Sequence, residues 1–384
     1  MELAKQSGKT SLPGRTSLQD YLRDLLAEAD IQVGGDRPWD MQVNNPGVAE
    51  RIFTEGSLGL GEGYMDGDWE AQALDEFIHR VLRARLHRQV RPARVLLHYL
   101  KSRLLNRQTV SRAKEVGERH YDLGNDFYRA MLDSRMTYTC GYWKDADTLE
   151  QAQQAKLDLI CRKLQLEPGM RVLDIGCGWG SFMSWAAEHY GVECVGVTIS
   201  REQADLARQM YPDLPLEFRL QDYRDVDETF DRIVSIGMFE HVGNKNYRTY
   251  MEVAHRCLKE GGLFLLHTIG KNERAPQSDP WMDRYIFPNG ELPSVGQIGD
   301  AVDNLFVVED LHNFGSDYDR TLMAWYRNFE KAWPRFAEDL GERFFRMWRF
   351  YLLSCAGAFR ARDLQLWQWV LSKGNPEGVY ARVT

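Results

Sequence analysis

The sequence predicts an α/β protein in which a mostly parallel sheet is wrapped by helices and is preceded by a small, mostly helical domain. Short apolar runs alternate with amphipathic helical spans through the middle of the chain, and a glycine-rich turn follows the first run. Such alternation is typical of parallel sheets, because a helix returns the chain to the edge where the next parallel strand begins. The 384 residues are enough for two or three domains of ordinary size.

Four apolar runs are the predicted strands of this sheet. They cover residues 171–175, 192–198, 232–236 and 263–268. The spans between them carry apolar residues at helical spacing, which favours helices that cover the sheet. We therefore assign residues 118–384 to the α/β domain.

Residues 1–107 are predicted to form the small helical domain. Its first helix follows Ser17, which can act as the N-cap, and carries apolar residues at helical spacing: Leu18, Tyr21, Leu22, Leu25, Leu26 and Ala29. Such a helix is typical of the face of a small core, and a membrane-binding helix is the alternative. Glycines between 56 and 67 interrupt the pattern, which resumes near Leu74. The polar residues 108–117 are the predicted linker.

The composition is typical of a globular protein, with 43% apolar and 27% charged residues. The first residues lack the apolar core of a signal peptide, and no run of about 18 apolar residues is present. The six cysteines form no CxxC pair and show no zinc-like spacing. We therefore expect a cytoplasmic protein with reduced cysteines and no bound metal.

Positive charge is concentrated in one part of the chain. The formal net charge is −8, yet residues 79–114 contain eleven Lys or Arg and no Asp or Glu. An acid-free basic stretch indicates an anionic partner, and anionic lipid headgroups and nucleic acid phosphates are the usual choices. A pair of solvated helices without a partner is the simpler alternative.

The turn after the first predicted strand has the sequence DIGCGWG and contains Asp174, Gly176 and Gly178. Glycine permits a positive φ and lets the backbone approach a ligand closely. The spacing is GxGxG with an acid two residues before the first glycine, whereas dinucleotide-binding dehydrogenases use GxGxxG. This pattern is typical of S-adenosylmethionine methyltransferases, so we expect that cofactor here.

The ends of the next two strands supply further candidate cofactor contacts. Methyltransferases usually place an acid for the ribose hydroxyls after the second strand, but this chain has Thr198 and then Gln203. The third strand leads to Asp222 and Tyr223, where a side chain and backbone amides could hold the adenine. The order of these groups along the chain is the one that such enzymes follow.

Four motifs resemble those of the cyclopropane fatty acid synthases. They are HYDLGNDFY at 120–128, MTYTCGY at 136–142, GMFEHV at 237–242 and YLLSC at 351–355. The resemblance extends from the N-terminal domain to the last helix, and mycolic acid methyltransferases lack that N-terminal domain. The similarity is therefore to the bacterial enzymes that act on phospholipids.

The resemblance implies a Rossmann-like class I S-adenosylmethionine methyltransferase fold with a mostly parallel seven-stranded sheet. It implies that a methylene group passes from S-adenosylmethionine to the cis double bond of an unsaturated acyl chain. The expected partners are this phospholipid in the membrane, the anionic lipid surface of the inner leaflet, and a second copy of the chain in a homodimer. Nucleic acid is not among them.

The implied reaction makes its own demands on the site. An alkene is a poor nucleophile, and its attack on the sulfonium methyl leaves positive charge on carbon, so the site must exclude water and be negative or aromatic. A base must then remove a proton from the new methyl group so that the ring closes. The resemblance implies that a bound bicarbonate is this base.

The resemblance also implies roles for individual residues. Five groups would hold bicarbonate: Cys140, Glu240, His267, Tyr318 and the backbone amide of Ile269. Tyr138 and Thr139 match residues that cover the methionine end of the cofactor. Cys355 matches a family cysteine that has been proposed as catalytic, but its apolar neighbours indicate a buried, inert thiol.

Three other functions are alternatives. A fatty acid C-methyltransferase, which leaves a methyl or methylene branch, shares most of this chemistry. An RNA methyltransferase could use the basic span, but it needs base-reading motifs that we do not find. A non-enzymatic lipid-binding protein would not need both the cofactor turn and Glu240.

The aromatic residues concentrated between 323 and 369 can fill a core or line a tunnel for an acyl chain.

Overall fold

The computed structural model describes residues 17–90, 124–274, 278–374 and 380–383. Three of the sequence predictions fall partly or wholly outside these residues. They are the linker at 108–117, the basic span beyond residue 90, and the first four residues of the motif at 120–128. The division into domains at 107 and 118 therefore stays a prediction.

Within the described residues 17–90, the N-terminal part contains four α-helices and a two-stranded antiparallel sheet. The helices are α1 (Leu18–Ala27), α2 (Val48–Glu55), α3 (Ser57–Met65) and α4 (Leu74–Arg83), and the strands are β1 (Gln42–Val43) and β2 (Trp69–Glu70). Ser17 caps α1 as predicted, in a reciprocal capping box with Asp20. Leu22, Leu25 and Leu26 are buried in the protein core, whereas Leu18 and Tyr21 of the same predicted apolar face are exposed, so the face belongs to the core only in part.

The prediction that glycines between 56 and 67 interrupt the helical pattern is wrong for three of them. Gly59, Gly61 and Gly63 lie inside α3. A Cβ on Gly61 would lie 2.4 Å from the indole of Trp281, and one on Gly59 would lie 2.3 Å from the carbonyl oxygen of Arg51. The glycines are present because neighbouring groups press directly against the helix backbone, and the cost in helix propensity is offset by that packing.

The central sheet has seven strands in the order β5-β4-β3-β6-β7-β9-β8. Only β9 runs against the others, so the sheet is mostly parallel, as predicted. The strands are β3 (Arg171–Ile175), β4 (Glu193–Thr198), β5 (Leu216–Leu220), β6 (Phe230–Ile236), β7 (Leu258–Lys271), β8 (Val307–Asn313) and β9 (Leu364–Ser372).

Nine helices of the described α/β part surround the sheet. They are α5 (Asn125–Met131), α6 (Leu149–Lys163), α7 (Ser181–Tyr190), α8 (Arg201–Met210), α9 (Tyr247–Cys257), α10 (Pro280–Tyr285), α11 (Val295–Val302), α12 (Ser316–Ala332) and α13 (Ala337–Arg360). The four predicted strands correspond to β3, β4, β6 and part of β7. The parallel strands end at one edge, where ligands bind in open α/β sheets.

Helix α13 joins the N-terminal helices to the α/β part. Its Arg346 donates to the carbonyl oxygen of Tyr64 at 2.6 Å, and Arg360 forms an ion pair with Asp75 at 2.7 Å. The two backbones meet at Gly357, where a Cβ would lie 2.4 Å from the carbonyl oxygen of Asp75 in α4. The N-terminal helices and α13 consequently share one hydrophobic core.

None of the helices in the described ranges combines the length and the apolar character that crossing a bilayer requires.

Candidate active site

A cavity of about 1820 Å³ extends from the glycine turn after β3 to the N-terminal helices. The turn and the ends of β4, β5 and β6 form its polar end. Apolar side chains of α1, α4 and α13 form the opposite walls, among them Leu22, Leu25, Phe77, Phe350 and Phe359. Both the predicted cofactor residues and part of the aromatic region therefore border the same space.

The glycine turn places bare backbone against this cavity. Gly176 has a φ of 86° and Gly178 a φ of 54°. A Cβ on Gly176 would lie 2.7 Å from Met238, whereas a Cβ on Gly178 would meet no protein atom within 4 Å. Gly178 borders the cavity, so a side chain there would point into open space where a cofactor can approach the backbone.

We expect Gly178→Val to reduce the affinity for S-adenosylmethionine at least tenfold, because its side chain would occupy the space beside the turn. Isothermal titration calorimetry measures this directly. Gly169→Val is the matched control, since Gly169 also has a positive φ of 84° and open space around its Cβ but does not border the cavity. Equal affinities of the two variants would contradict the assignment.

Asp174, the acid of the turn, is buried beside the cavity. Its Oδ1 has no hydrogen-bond partner among the described residues, and burial raises its pKa to about 7. The ammonium group of Lys156 acts in the opposite direction and favours the ionised carboxylate. An unpaired carboxylate oxygen at this edge is available to a cationic or hydrogen-bonding ligand.

Lys156 is a site residue that the sequence predictions missed. It lies in α6 with no exposed surface, and its Nζ donates to the hydroxyl of Thr139 at 2.8 Å. Burial lowers its pKa to about 8, and Asp133, Cys140 and Asp174 raise it in part. A lysine among the buried positions of α6, between Ala152 and Ile160, was the pattern that could have identified it.

The predicted ribose and adenine contacts all border the cavity. The Thr198 hydroxyl donates to Oε1 of Gln203 at 3.2 Å, so the two side chains are held together at the end of β4. Asp222 forms an ion pair with Arg224 at 2.7 Å. Burial raises the pKa of Asp222, but the hydrogen bonds from Arg224 outweigh it and the pKa is lowered overall. Asp222 is therefore an anion that Arg224 already holds in place.

Glu240 lies in a short 3-10 helix, Phe239–His241, that follows β6. Its Oε1 accepts a hydrogen bond from the amide of Ile269 at 2.7 Å, whereas its Oε2 is buried and has no partner among the described residues. Burial raises the pKa of Glu240 to about 7. One expected bicarbonate donor, the Ile269 amide, thus binds the expected bicarbonate acceptor directly.

His267 lies on β7, two residues before Ile269 and on the same face of the strand. Gln368 Nε2 and His267 Nδ1 are 3.2 Å apart, and Nε2 of the ring has no partner among the described residues. Burial lowers the pKa of His267 well below its usual value, and the charges of Lys156 and Lys163 add to this. The ring is therefore neutral at physiological pH.

Cys140 and Tyr318 complete the five predicted groups. The Cys140 thiol donates to the carbonyl oxygen of Gly141 at 3.2 Å, and burial raises its pKa far above the usual value. Tyr318, in α12, borders the cavity, and its pKa is raised by burial and then by Cys140 and Glu240. Cys140 and His267 are buried and are not among the residues that line the cavity, so three of the five predicted groups, Glu240, Ile269 and Tyr318, border it.

The remaining predicted site residues, Tyr138, Thr139 and Cys355, all border the cavity. The hydroxyl groups of Tyr138 and Tyr351 are 2.9 Å apart, and Thr139 is anchored by Lys156. Cys355 borders the cavity as well, and burial raises its pKa to about 12. It is therefore a protonated thiol, which is a poor nucleophile.

The described end of the basic span lies at an opening of the cavity. Exposed residues of this segment that border the cavity are Arg83, Arg85, His87 and Arg88. Lys271 and Arg362 from the α/β part join them, while Glu273 forms an ion pair with Arg88 at 2.5 Å. Asp363 also borders the cavity near His87, so the opening has more cations than acids, whereas the walls behind it are apolar.

Comparison with known proteins identifies the family. The family model described as "Mycolic acid cyclopropane synthetase" matches residues 108–369. The chain belongs to this family. The predicted family resemblance is thereby confirmed, together with the fold and the enzyme class, an S-adenosylmethionine-dependent methyltransferase.

Individual members of the family show how far the similarity extends. The "Cyclopropane-fatty-acyl-phospholipid synthase" of Escherichia coli K12 is 56% identical over 363 residues, which are 93% of this chain and 94% of that protein. A mycolic acid cyclopropane synthase whose crystal structure contains SAH and CTAB is 35% identical, with a TM-score of 0.63. It covers 68% of this chain and 98% of its own.

Proposed function

We propose that this protein transfers a methylene group from S-adenosylmethionine to the cis double bond of an unsaturated acyl chain of a membrane phospholipid. One observation carries the proposal: a single cavity contains the glycine turn, the buried carboxylate of Glu240 and long apolar walls. The Escherichia coli relative, similar over nearly the whole chain, has the corresponding name and supports it.

The size and lining of the cavity support a phospholipid as the substrate. Sites for single small molecules usually occupy about 300–1,000 Å³, and this cavity has about 1820 Å³, which leaves room for an acyl chain beside the cofactor. Apolar side chains of α1, α4 and α13 can contact that chain. The exposed cations at the opening, Arg83 and Arg85 among them, are placed to attract a phosphate or an anionic membrane surface.

The residues around the site meet the demands of the first step. S-adenosylmethionine supplies an electrophilic methyl group, and the alkene that attacks it becomes cationic. The electron-rich faces of Tyr138 and Tyr318 can stabilise such a cation, and the buried walls exclude water that would trap it. Glu240 adds negative charge when it is ionised.

Bicarbonate fits the hydrogen-bonding groups that the fold leaves without partners. Glu240 Oε2 is a buried acceptor and His267 Nε2 a buried nitrogen, and neither has a partner among the described residues. Bicarbonate has one O–H to donate and several oxygens to accept. We propose that Glu240, held by the Ile269 amide through Oε1, accepts the bicarbonate proton at Oε2, that His267, Tyr318 and Cys140 hold the bicarbonate oxygens, and that bicarbonate removes the methyl proton.

A fatty acid C-methyltransferase is the second candidate function. A "Probable fatty acid methyltransferase" of Pseudomonas putida is 38% identical over 272 residues, which are 67% of this chain. The two functions share the cofactor and the first step. They differ in whether loss of a proton closes a ring or leaves a branch.

Acyl-chain analysis tests the proposal. Purified protein incubated with S-adenosylmethionine and vesicles of unsaturated phospholipid should add one CH₂ per modified chain with loss of the double bond. The high-field proton resonances of a cyclopropane should then appear. A methyl or methylene branch would instead support the second candidate, and cofactor binding without turnover would contradict both.

Membrane association and assembly are further parts of the proposal. We propose that the protein binds the anionic inner leaflet peripherally, so activity should be higher on anionic than on neutral vesicles, and salt should reduce the difference. We also propose a homodimer, which light scattering would detect as about twice the chain mass of 44.5 kDa.

A further inference from the structure

Three polar side chains form a row across the sheet behind the candidate active site. His267 on β7 lies directly opposite Gln368 on β9, and Gln368 lies directly opposite His312 on β8. Directly opposite residues share a face of the sheet. His267 and Gln368 have almost no exposed surface, whereas His312 is half-buried, so the row is buried at the end nearer the candidate active site.

At both ends of the row a nitrogen of another side chain faces Nδ1 of the histidine ring. The amide nitrogen of Gln368 lies 3.2 Å from Nδ1 of His267, and the ammonium nitrogen of Lys163 lies 3.1 Å from Nδ1 of His312. An amide NH₂ and an ammonium group can only donate. With the Gln368 amide in this orientation, each ring accepts at Nδ1, which places its proton on Nε2, while Oε1 of Gln368 is buried without a partner among the described residues.

The far end of the row is fixed by an ion network that is buried at Lys163 and Asp310 and extends to the exposed Arg382. Lys163 has no exposed surface and forms an ion pair with Asp310 at 3.2 Å. Arg382 binds the other oxygen of Asp310 at 3.0 Å, and the Tyr380 hydroxyl donates to the carbonyl oxygen of Lys163 at 3.0 Å. Lys163 is thus held where it can donate to His312.

We propose that Gln368 is a positioning residue that holds His267 as the neutral tautomer with its proton on Nε2. The ring then presents a hydrogen-bond donor, and not an acceptor, at the nitrogen that has no partner in the fold. A donor at this position suits an anion. The assignment of the tautomer does not depend on the proposed function, whereas its consequence for bicarbonate binding rests on that function.

Nitrogen NMR of the full-length protein tests the tautomer. With ¹⁵N-labelled histidine, wild-type His267 should show a protonated Nε2 and an unprotonated Nδ1, and His267→Gln identifies its resonances by removing them. Gln368→Glu should reverse the pattern, because a carboxylate accepts from Nδ1–H. Gln368→Met, which keeps the volume without the charge, should lose the single tautomer. A wild-type ring protonated on Nδ1 would overturn the proposal.

Kinetics test what the tautomer does. In Gln368→Glu and Gln368→Met, the bicarbonate concentration for half-maximal activity should rise at least tenfold, while the KM for S-adenosylmethionine should change less than twofold. A changed tautomer with an unchanged bicarbonate requirement would overturn the positioning role. A wild-type rate that is independent of carbonate would instead contradict the proposed function and leave the NMR result to decide the tautomer.

Discussion

Removal of dissolved carbonate should reduce turnover by about 10²- to 10⁴-fold, the range that a general base typically contributes, and added bicarbonate should restore it. The expectation follows from Glu240 and His267, whose buried atoms Oε2 and Nε2 have no partners within the described part of the chain. A side chain that lacks a partner in a dry site is costly unless a ligand supplies one. The measurement is the rate in carbonate-free buffer before and after bicarbonate is added.

The variant Glu240→Gln distinguishes bicarbonate from the Glu240 carboxylate as the base that removes the methyl proton. If Glu240 orients bicarbonate by accepting its proton, the amide of Gln should weaken the rescue, because its nitrogen donates where the carboxylate oxygen accepted. Glu252→Gln, an exposed position on α9, is the control and should behave as wild type. If Glu240 were itself the base, carbonate removal would leave the wild-type rate unchanged and the variant would stay inactive at every bicarbonate concentration.

Lys156→Met should weaken S-adenosylmethionine binding at neutral pH at least tenfold. The substitution removes the anchor of Thr139 and the positive charge that favours ionised Asp174. Burial already raises the pKa of Asp174 to about 7, and without Lys156 it should rise further, so the carboxyl group becomes neutral at pH 7. A neutral acid no longer attracts the cationic cofactor.

The pH dependence of S-adenosylmethionine binding shows whether ionised Asp174 strengthens binding. In the wild type, affinity should increase as the pH rises through about 7, because Asp174 becomes ionised. In Lys156→Met the same increase should occur at higher pH. Lys163→Met is the matched control, since Lys163 is equally buried in α6 but pairs with Asp310 and not with the cofactor end. A Lys156→Met curve that coincides with the wild-type curve from pH 6 to 9 would refute the role of this charge.

The elements predicted from the sequence are those whose pattern is local. The turn around Gly178 could be predicted because positive φ and close approach require glycine within a few residues of a strand. Strand β9 was not predicted, since it is buried along most of its length and its aromatic residues also suit a helix. The polar row depends on register between strands about 100 residues apart in the chain, which no local pattern contains.

The aromatic residues between 323 and 369 also show that a local pattern does not reveal contacts distant in sequence. The sequence left open whether their rings fill a core or line a tunnel for an acyl chain, and the structure places some of them at the cavity and others in the core. Phe350, Tyr351 and Phe359 on α13 border the cavity, whereas Trp367 and Trp369 on β9 belong to the core between sheet and helices. The face of α13 that meets the cavity depends on its packing against both α12 and α4, and the contact with α4 is distant in sequence.

The close contact at Gly357 makes the position of the N-terminal helices depend on a single residue. Because the backbones of α4 and α13 touch there, a single methyl group on residue 357 would collide with the main chain of the N-terminal helices. The two helices can cross this closely only while residue 357 carries no side chain.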